Sequence, residues 1–580
     1  MNAPLRVPLG IDDFQKVREG GLLYVDKTHL VTDLLEKAGA EVVLLPRPRR
    51  FGKSLNLSMV RCFFEKRAED LSPLFRDLQV WQAGDAVRAH FQRYPVVHLT
   101  MKGAKQATFE ACWKTIREKI EALFREHKAL LTSGALDSRE EEKYRAILDG
   151  TADEVLYGRA LLDLCHYLHR MHGERVLLLI DEYDEPIHAG YTHGYAPRIL
   201  DFCRAFYGEG LKGNPHLFRA VLTGILRVAR ESIFSGLNNV TVYSLLRSEF
   251  NTCFGFTEPE VERLLAAAGR TDRLETLRAW YNGYLFGGEV IYNPWSVLNF
   301  LAAEDKDPEP YWLSTSSNDL IRELLQERAV ELEPLFEALL TGGSVEKVLD
   351  EHVPLGELHT SENALWSLLV FAGYLKAERH SRGPMERPMH RLSIPNREVR
   401  ELYMSTFRGW MAARLGGRGG ALDALLDALL RGDAERLERL LQAFVTNVLS
   451  HHDVGFFGPE RVYQAFLVGL LATLEPDYQV RSDRESGHGR ADVLVRPARP
   501  GKPGIVLELK VVKAARRAPE KALAEGLAQI REKEYAAELR AAGAEPVHAF
   551  AAAFDGKRVW VRAATLSPEE PSPRKKARKR

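Results

Sequence analysis

The first 250 residues contain five short, almost continuously apolar segments that alternate with amphipathic helical patterns. The segments are rich in β-branched residues and lie at Val42–Leu45, Val96–Leu99, Val176–Ile180, Ala220–Leu222 and Val240–Tyr243. Strands that are apolar on both faces and are separated by helices are typical of a parallel sheet covered by helices on both sides. The sequence therefore predicts an α/β domain over residues 1–250.

Length and charge restrict what the whole chain can be. Its 580 residues exceed the roughly 250–300 at which single cores stop growing, so we expect two or three domains. Because 80 Lys and Arg balance 80 Asp and Glu, nucleic-acid binding would need a local basic patch or metal ions. No uncharged apolar stretch approaches the roughly 18–20 residues of a membrane span, and no signal sequence is recognisable at the start. We therefore expect a cytoplasmic protein with no membrane segment and, from five scattered cysteines, buried thiols instead of disulfides.

Four further regions follow the predicted sheet. The pattern TEPE at Thr257–Glu260 is typical of a helix start and opens a predicted helical lid over residues 251–330. Helical periodicity continues through a predicted linker region, residues 331–450. Over residues 451–565 strands outnumber helices and predict a compact α+β domain. The Lys- and Arg-rich tail, residues 566–580, is expected to be disordered.

A basic loop connects the first predicted strand to a helix. Strand Val42–Leu45 leads into PRPRRFGKS and then into a helical segment, which is the context of a phosphate-binding loop. Lys53 is expected to reach the β- and γ-phosphates of ATP and Ser54 to ligate Mg²⁺, while amides around Gly52 surround phosphate. Arg47 stands where the general motif has its first glycine. Taken alone, the loop is also compatible with a basic turn before a helix.

Two carboxylates follow the third predicted strand. Asp181 and Glu182 come directly after Val176–Ile180, at the edge of the sheet where ligands of open α/β folds collect. In a P-loop enzyme Asp181 would hold Mg²⁺ through its water shell, and Glu182 would polarise the attacking water. The alternative is a solvated acidic turn, since Asp184 and Glu185 continue the acidic run. The lysine-bearing loop after an earlier strand favours the catalytic interpretation.

The fourth predicted strand ends in a polar residue, Thr223. We expect it between the first and third strands, where it could sense the γ-phosphate; a strand cap is the alternative. An arginine finger, if the enzyme uses one, could be Arg227, Arg230 or Arg247, and the sequence does not choose among them.

Seven motifs within the first 300 residues form a specific set. They are LGIDDF (Leu9–Phe14), YVDKT (Tyr24–Thr28), RPRRFGKSLNLSM (Arg47–Met59), LLIDEYDEPI (Leu178–Ile187), LTGILRVARESIFSGLNN (Leu222–Asn239), WYNGY (Trp280–Tyr284) and YNPWS (Tyr292–Ser296). The set resembles the bacterial AAA-ATPase-like proteins that carry a C-terminal PD-(D/E)xK nuclease-like domain. In that family an arginine at the position of Arg47 is usual. The resemblance implies an ATPase of the additional-strand type with a catalytic glutamate.

The α+β region carries a second group of carboxylates. In Ile505–Val512, which reads IVLELKVV, Glu508 and Lys510 share one face of a strand. Asp492 lies on an earlier strand that a Pro/Gly-rich loop can fold back, so Asp492 and Glu508 could share one divalent ion. Lys510 would then orient a nucleophilic water, and Glu460 on a preceding helix would add a carboxylate. The alternative is an exposed, charged strand face, because E-x-K often occurs by chance.

Four motifs in this region resemble the nuclease-like domain of the same family. They are GPERVYQAFLVGLL (Gly458–Leu471), GRADVLV (Gly489–Val495), VLELKV (Val506–Val511) and LAQIREKEY (Leu527–Tyr535). The matching positions are Glu460, Asp492, Glu508, Lys510 and, more loosely, Gln529. The resemblance implies that the acid–acid–lysine set of this domain is complete.

The sequence thus predicts an α/β protein: a P-loop NTPase parallel sheet with a helical lid, a helical middle region and a C-terminal α+β restriction-endonuclease-like domain. The predicted function is ATP binding and hydrolysis coupled to a Mg²⁺-dependent nuclease-like domain that acts on DNA or RNA. The alternative is a nucleotide-switched regulatory or scaffolding protein whose nuclease-like domain binds without cutting. Oligomerisation stays open.

The predicted residues fall into three groups. Those predicted to bind ATP are Arg49, Arg50, Phe51, Gly52, Lys53, Ser54, Leu55, Asp181 and Thr223. Those predicted to ligate Mg²⁺ are Ser54, Asp181, Glu460, Asp492 and Glu508. Those predicted to be catalytic are Glu182, Asp492, Glu508 and Lys510.

Overall fold

The computed structural model describes most of the chain as two compact units. The described residues are 6–37, 39–226, 239–303, 307–313, 319–340, 342–352, 355–380, 388–414, 420–448, 467, 471, 474, 477–482, 492–512, 518–532, 535–555 and 558–566. The first unit comprises Met1–Leu324 and Glu346–Val399, and the second comprises Leu325–Val345 and Arg400–Arg580. The division into core, lid, linker and nuclease-like domain made from the sequence stays a prediction.

The centre of the first unit is a five-stranded parallel sheet. Its strands are β1 (Val42–Pro46), β2 (Val96–Thr100), β3 (Val176–Asp181), β4 (Leu217–Gly224) and β5 (Val240–Val242). They lie in the order β2-β3-β4-β1-β5, and every neighbouring pair is parallel. The predicted α/β architecture is confirmed. Since β4 lies between β1 and β3, the carboxyl ends of these three strands meet at one edge of the sheet.

Helices precede and connect these strands. They are α1 (Phe14–Glu19), α2 (His29–Glu36), α3 (Lys53–Phe64), α4 (Gln79–Gln82), α5 (Asp85–Arg88), α6 (Phe109–Glu126), α7 (Ser138–Leu148), α8 (Glu154–His172), α9 (Glu185–Thr192) and α10 (Ala196–Leu211), with 3₁₀ turns at Ser72–Leu74 and Lys128–Thr132. The five cysteines are buried and form no disulfide, as predicted. Among the described residues, no helix has the length and apolar character needed to cross a membrane.

A small helical subdomain follows the sheet. It consists of α11 (Glu258–Ala267), a 3₁₀ turn at Thr271–Arg273, α12 (Leu274–Tyr281), the hairpin β6 (Tyr284–Phe286) and β7 (Glu289–Ile291), and α13 (Pro294–Ala302). Buried apolar side chains, among them Val261, Leu277 and Phe300, form its core. Helix α13 is capped by Asn293, whose side-chain oxygen accepts a hydrogen bond from the Trp295 amide at 2.9 Å.

The middle region is largely helical, as predicted, and it also contains a small sheet. The helices are α14 (Asp319–Glu327), α15 (Ala329–Leu340), α16 (Glu362–Phe371), α17 (Arg397–Arg414), α18 (Gly420–Arg431) and α19 (Ala434–Val448), with a 3₁₀ turn at Leu355–Glu357. The strands are β8 (Val345–Val348), β9 (Lys376–His380) and β10 (Met389–Ser393), in the order β8-β10-β9. These strands were not predicted, because sequences such as KAERH contain no apolar run.

The second unit contains a five-stranded mixed sheet. Its strands are β11 (Tyr478–Ser482), β12 (Val493–Pro497), β13 (Gly504–Val511), β14 (Val547–Asp555) and β15 (Arg558–Thr565), and its helices after β13 are α20 (Pro519–Glu532) and α21 (Tyr535–Ala541). The strands follow in chain order across the sheet. The pair β13–β14 is parallel, and the other three pairs are antiparallel. The predicted α+β domain is confirmed.

Helix α19 covers one edge of this mixed sheet. The amides of Val559 and Val561 on the edge strand β15 donate to Gln442 Oε1 at 3.0 Å and to Glu438 Oε2 at 2.7 Å. Glu438 and Gln442 are four residues apart, so they lie on the same face of the helix. Two side chains of α19 therefore satisfy backbone donors that an uncovered edge strand would expose.

Candidate functional site

The loop between β1 and α3, residues 47–52, has the backbone of a phosphate-binding turn. Gly52 has a φ of +84° and directly precedes Lys53, the first residue of α3. Glycine adopts this left-handed conformation without steric cost, whereas Arg50, with a φ of +66°, adopts it as a non-glycine residue. The helix N-terminus therefore follows immediately on a tight turn, which is the arrangement that favours a bound anion.

Arg47 has a structural role in this loop. Its side chain is fully buried, and its Nη1 donates to the carbonyl oxygens of Pro46 at 2.8 Å and Tyr243 at 2.7 Å. Nη2 donates to the carbonyl of Phe250 at 2.9 Å. Burial lowers the pKa of Arg47 to about 10. The arginine thus ties the start of the loop to the segment after β5, a task that glycine could not perform.

We expect Arg47→Gly, which restores the general phosphate-loop motif, to destabilise the protein. The exchange would leave the carbonyls of Tyr243 and Phe250 without their charged donor, at a cost of about 3 kcal/mol or more. Thermal unfolding followed by circular dichroism would show a first transition several degrees lower. The control is Arg263→Ala, which removes an exposed arginine from α11 and should leave the first transition nearly unchanged. An unchanged first transition in Arg47→Gly would contradict the anchoring role.

Lys53 is held inside the loop by oxygen atoms. Its Nζ lies 3.4 Å from Glu182 Oε1, and it donates to the carbonyls of Arg47 at 3.2 Å and Pro48 at 3.3 Å. The side chain is almost completely buried. The ammonium group therefore already occupies an oxygen-lined position at the C-terminal edge of the sheet, next to the predicted catalytic glutamate.

Ser54, Asp181 and Thr223 form a continuous hydrogen-bonded set. The Ser54 hydroxyl donates to Asp181 Oδ2 at 2.5 Å, and the Thr223 hydroxyl donates to Asp181 Oδ1 at 2.6 Å. Thr223 reaches Asp181 because β4 lies beside β3 in the sheet. Hydroxyl and carboxylate oxygens are the ligands that Mg²⁺ prefers, so the donor set at this point fits that ion.

Glu182 is in a strained and desolvated position. Its φ is +52°, which is unusual for a residue with a long side chain. Burial raises the pKa of Glu182, and the neighbouring Lys53 opposes that effect. Strained backbone and a perturbed carboxyl at the edge of a sheet are features found at catalytic sites.

The burial of Asp184 excludes the alternative that the acidic run after β3 is a solvated turn. Its carboxylate is buried and accepts hydrogen bonds from the amides of Ile225 at 2.9 Å and Leu226 at 3.0 Å. Although burial opposes it, hydrogen bonds from His188 and these amides hold the pKa of Asp184 below its ordinary value. The acidic run after β3 therefore connects to the segment after Thr223.

A cavity of about 430 Å³ lies over the phosphate loop. The predicted loop residues that line it are Arg49, Arg50, Phe51, Gly52, Lys53, Ser54 and Leu55. Its other walls include Ile11 near the N-terminus, Glu182 at the sheet edge and Trp295 of α13. The Arg50 guanidinium lies 4.4 Å from the centre of the Trp295 ring. The volume falls within the range of about 300–1,000 Å³ typical of small-ligand sites.

Sequence reasoning missed a buried ion pair in the wall of this cavity. Lys27 Nζ lies 2.8 Å and 2.7 Å from the two carboxylate oxygens of Glu260 and donates to the Thr252 carbonyl at 2.9 Å. Lys27 belongs to the motif YVDKT, and Glu260 belongs to TEPE. Each motif is visible in the sequence, but only the fold brings these residues together across 233 positions.

In the second unit, strand pairing brings Asp492 and Glu508 together. Val493 pairs with Leu507 in the antiparallel ladder of β12 and β13, so Asp492 comes opposite Glu508. The carboxylate of Asp492 accepts a hydrogen bond from the Leu509 amide at 2.6 Å. The hairpin thus holds both carboxylates at one end of the ladder.

Lys510 completes this cluster. Its Nζ lies 2.8 Å from Glu508 Oε1 and donates to Gln529 Oε1 at 3.0 Å. Glu508 is buried, while Lys510 is partly exposed. A Cβ on Gly526 would lie only 2.9 Å from that of Ala551, so the glycine lets α20 approach the sheet closely and bring Gln529 to the lysine.

Some predicted positions lie outside the described residues. These are Glu460, Arg227 and Arg230. In the part of the chain that the structure describes, no group of three or more His, Cys, Asp and Glu side chains is arranged as a metal site. Each cluster supplies oxygens from two protein side chains, which suits Mg²⁺, because this ion keeps several waters and takes phosphate oxygens as ligands.

The order of the sheet and the position of the loop define the class of this protein. A loop that ends in Gly-Lys-Ser follows β1, an Asp-Glu pair stands at the end of β3, and β4 is inserted between them, which is the strand order of P-loop proteins of the additional-strand type. The AAA-ATPase-like family model, described as a predicted AAA-ATPase, matches residues 8–234. The model of the PD-(D/E)XK nuclease superfamily matches residues 458–564.

A curated relative is similar over nearly the whole chain. An uncharacterized protein in the vnfD 5′ region of Azotobacter chroococcum mcd 1 is 30% identical over 559 residues, which cover 95% of this chain and 96% of the relative. The chain belongs to this family of AAA-ATPase-like proteins with a C-terminal PD-(D/E)XK nuclease superfamily domain. The family predicted from the sequence motifs is confirmed.

Proposed function

We propose that the first unit binds and hydrolyses ATP with Mg²⁺ and that the second unit cleaves phosphodiester bonds in nucleic acid. The main support for the ATPase proposal is that Lys53, Ser54 and Asp181 lie together at one edge of the sheet. A cavity large enough for a nucleotide lies over them. Glu182 and Thr223 lie at the same edge. The family supports both activities, because it joins an ATPase-like and a nuclease-like domain.

In the proposed ATPase, Lys53 exchanges its present partners for phosphate oxygens. The Nζ atom leaves Glu182 and the carbonyls of Arg47 and Pro48 and donates to the β- and γ-phosphates instead. Glu182 then orients the attacking water and accepts its proton. Ser54 and Asp181 would hold Mg²⁺, which supplies charge neutralisation on the phosphates when bound.

In the proposed nuclease, Asp492 and Glu508 would hold Mg²⁺, which would supply charge neutralisation on the phosphodiester and a lower pKa for the attacking water. Lys510 orients that water and stabilises negative charge on the phosphate. Gln529 keeps the Lys510 ammonium group on the same side of the sheet as Glu508. The register of β12 and β13 keeps these groups in place without ligand.

We propose further that the nucleotide controls the second unit through the lid. Arg50 in the phosphate loop stacks on Trp295 of α13, so a ligand that rearranges the loop changes a contact of this helix. Lid movement on ligand binding is a common way in which such enzymes link binding to a distant event.

Glu182→Gln is expected to separate ATP binding from hydrolysis. Glutamine keeps the size of the side chain but cannot accept the proton, so turnover should fall by about 10²–10⁴-fold while ATP affinity changes little. Phosphate release with and without added DNA or RNA measures turnover, and titration with a fluorescent ATP analogue measures affinity. Stimulation of wild-type ATP turnover by nucleic acid would show that the first unit responds to a substrate of the second.

The matched control is Glu110→Gln, an exposed glutamate on α6 that is paired with Arg198. It should behave as the wild type in both measurements. Equal turnover in Glu182→Gln and wild type would remove the catalytic role of Glu182. A wild-type protein that binds no nucleotide would remove the ATPase proposal altogether.

A further inference from the structure

A completely buried carboxyl group lies behind the phosphate loop, outside the residues assigned above. It belongs to Glu398 in the first turn of α17. Glutamate is rarely fully buried, because a carboxylate loses its hydration there and needs hydrogen-bond donors in return. Its position in the fold therefore requires a specific explanation.

Glu398 accepts hydrogen bonds from two separate segments. The Ser296 hydroxyl, on α13 of the lid, lies 3.0 Å from Oε1 and 2.9 Å from Oε2. The Trp312 amide donates to Oε1 at 2.6 Å. The carboxyl group thus joins the start of α17 to the lid helix and to the segment that follows it.

Trp312 extends this connection to the phosphate loop. Its indole Nε1 donates to the carbonyl of Arg49 at 3.2 Å, and its ring packs against Tyr374 at a centroid distance of 5.1 Å. The neighbouring Gly373 lies against Pro48, so that a Cβ on the glycine would come within 3.0 Å of the proline ring. Residues from two later segments therefore support the back of the loop.

The start of α17 is also fixed independently of Glu398. Asn396 caps the helix by accepting a hydrogen bond from the Val399 amide at 3.0 Å, and its own amide donates to the Asn282 carbonyl at 2.7 Å. Beyond Val399 the same helix continues to Arg414 through residues of the second unit. Helix α17 is thus anchored in the nucleotide-binding unit at its first turn and is part of both units along its length.

We propose that Glu398 is a positioning residue that couples the phosphate loop and the lid to α17, so that α17 responds when ATP binds. The proposal rests on the proposed ATP-binding function and adds that α17 is the helix through which ATP binding is transmitted. A ligand that moves the Arg49 carbonyl or helix α13 changes the partners of Glu398. The first turn of α17 must then adjust.

Glutamine is the informative replacement at this position. Burial raises the pKa of Glu398 to about 8, against the hydrogen bonds from Trp312 and Ser296, so the protonated form predominates near neutral pH. A carboxamide has nearly the shape of a protonated carboxyl group, and its oxygen accepts the same hydrogen bonds. Methionine has a similar length but accepts only weakly, and it therefore removes the connection while filling the space.

Hydrogen exchange of the full chain tests the coupling directly. In the wild type, saturation with a non-hydrolysable ATP analogue should slow amide exchange by about fivefold or more. The effect is expected both in the phosphate loop and in the first turn of α17. Glu398→Gln should keep both effects. Glu398→Met should keep the protection of the loop but lose most of that in α17, and it should lower kcat for ATP more than it changes KM.

Two further variants keep the test decisive. Glu378→Met, at an exposed glutamate of β9, should respond as the wild type. Ser296→Ala removes one donor to Glu398 without burying a new group and should reduce the α17 response. It provides the test if Glu398→Met folds poorly. Full α17 protection in both Glu398→Met and Ser296→Ala would overturn the inference while leaving ATP binding intact. A wild type with no protection of the loop would instead mean that the proposed ATP binding fails.

Discussion

Replacement of Lys53 by alanine is expected to reduce ATP turnover by about 10³-fold and ATP affinity by about 10- to 100-fold. A hydrogen bond between charged groups contributes roughly 1.5–3 kcal/mol to binding, and a preorganised donor to developing charge contributes about 10²–10³ in rate. The structure places Nζ at the sheet edge, 3.4 Å from Glu182 Oε1, so its loss removes a charged donor from the floor of the cavity. Phosphate release and titration with a fluorescent ATP analogue measure the two effects.

Two variants control this result. Lys114→Ala removes an exposed lysine of α6 and should leave both quantities unchanged. Lys53→Arg keeps the positive charge but has a planar, longer head group, so it should recover little turnover. If Lys53→Ala bound ATP as tightly as the wild type, the assignment of the phosphate loop would be wrong.

The second large effect is expected at the carboxylates of the mixed sheet. Asp492→Asn and Lys510→Met should each lower Mg²⁺-dependent nicking of plasmid and single-stranded substrates by about 10³-fold, because metal binding and water orientation are lost separately. Removal of Mg²⁺ with EDTA should abolish wild-type nicking. Electrophoretic analysis of product against time gives the rates.

The controls for the nuclease variants come from the same unit. Asp477→Asn changes a carboxylate that is paired with Lys502, and Lys521→Ala changes an exposed lysine of α20. Both should cut as the wild type does. Equal rates in all variants would assign the nicking to a contaminant. Nucleic-acid binding without any Mg²⁺-dependent cutting by the wild type would favour the scaffolding alternative.

Much of the candidate nucleotide site was predictable because it depends on short-range rules. Apolar strands followed by polar residues place those residues at one edge of a parallel sheet, and this rule brought Lys53 and Asp181 to the same place. The alternation of strand side chains likewise predicted that Glu508 and Lys510 point to one side, and their charged groups are 2.8 Å apart.

Other contacts could not be read from the sequence, because they join distant segments. Arg47 departs from the general motif, but two of its three carbonyl partners lie 196 and 203 residues away and are backbone groups without a sequence signature. The buried ion pair of Lys27 and Glu260 also joins distant segments, because the two residues are 233 positions apart. Glu398 is buried where it accepts hydrogen bonds from Ser296 and from the Trp312 amide, which lie 102 and 86 positions away in the sequence.

Helix α19, which covers strand β15, lies before the matched nuclease-like domain but completes its sheet. The family match begins at residue 458, yet the backbone donors of Val559 and Val561 are satisfied by Glu438 and Gln442, which precede it. A fragment cut at the family limit would carry an open strand able to pair with a second copy. Helix α19 therefore protects this edge from self-association, and α18 packs against α19. A separately produced nuclease-like domain should therefore start before Gly420.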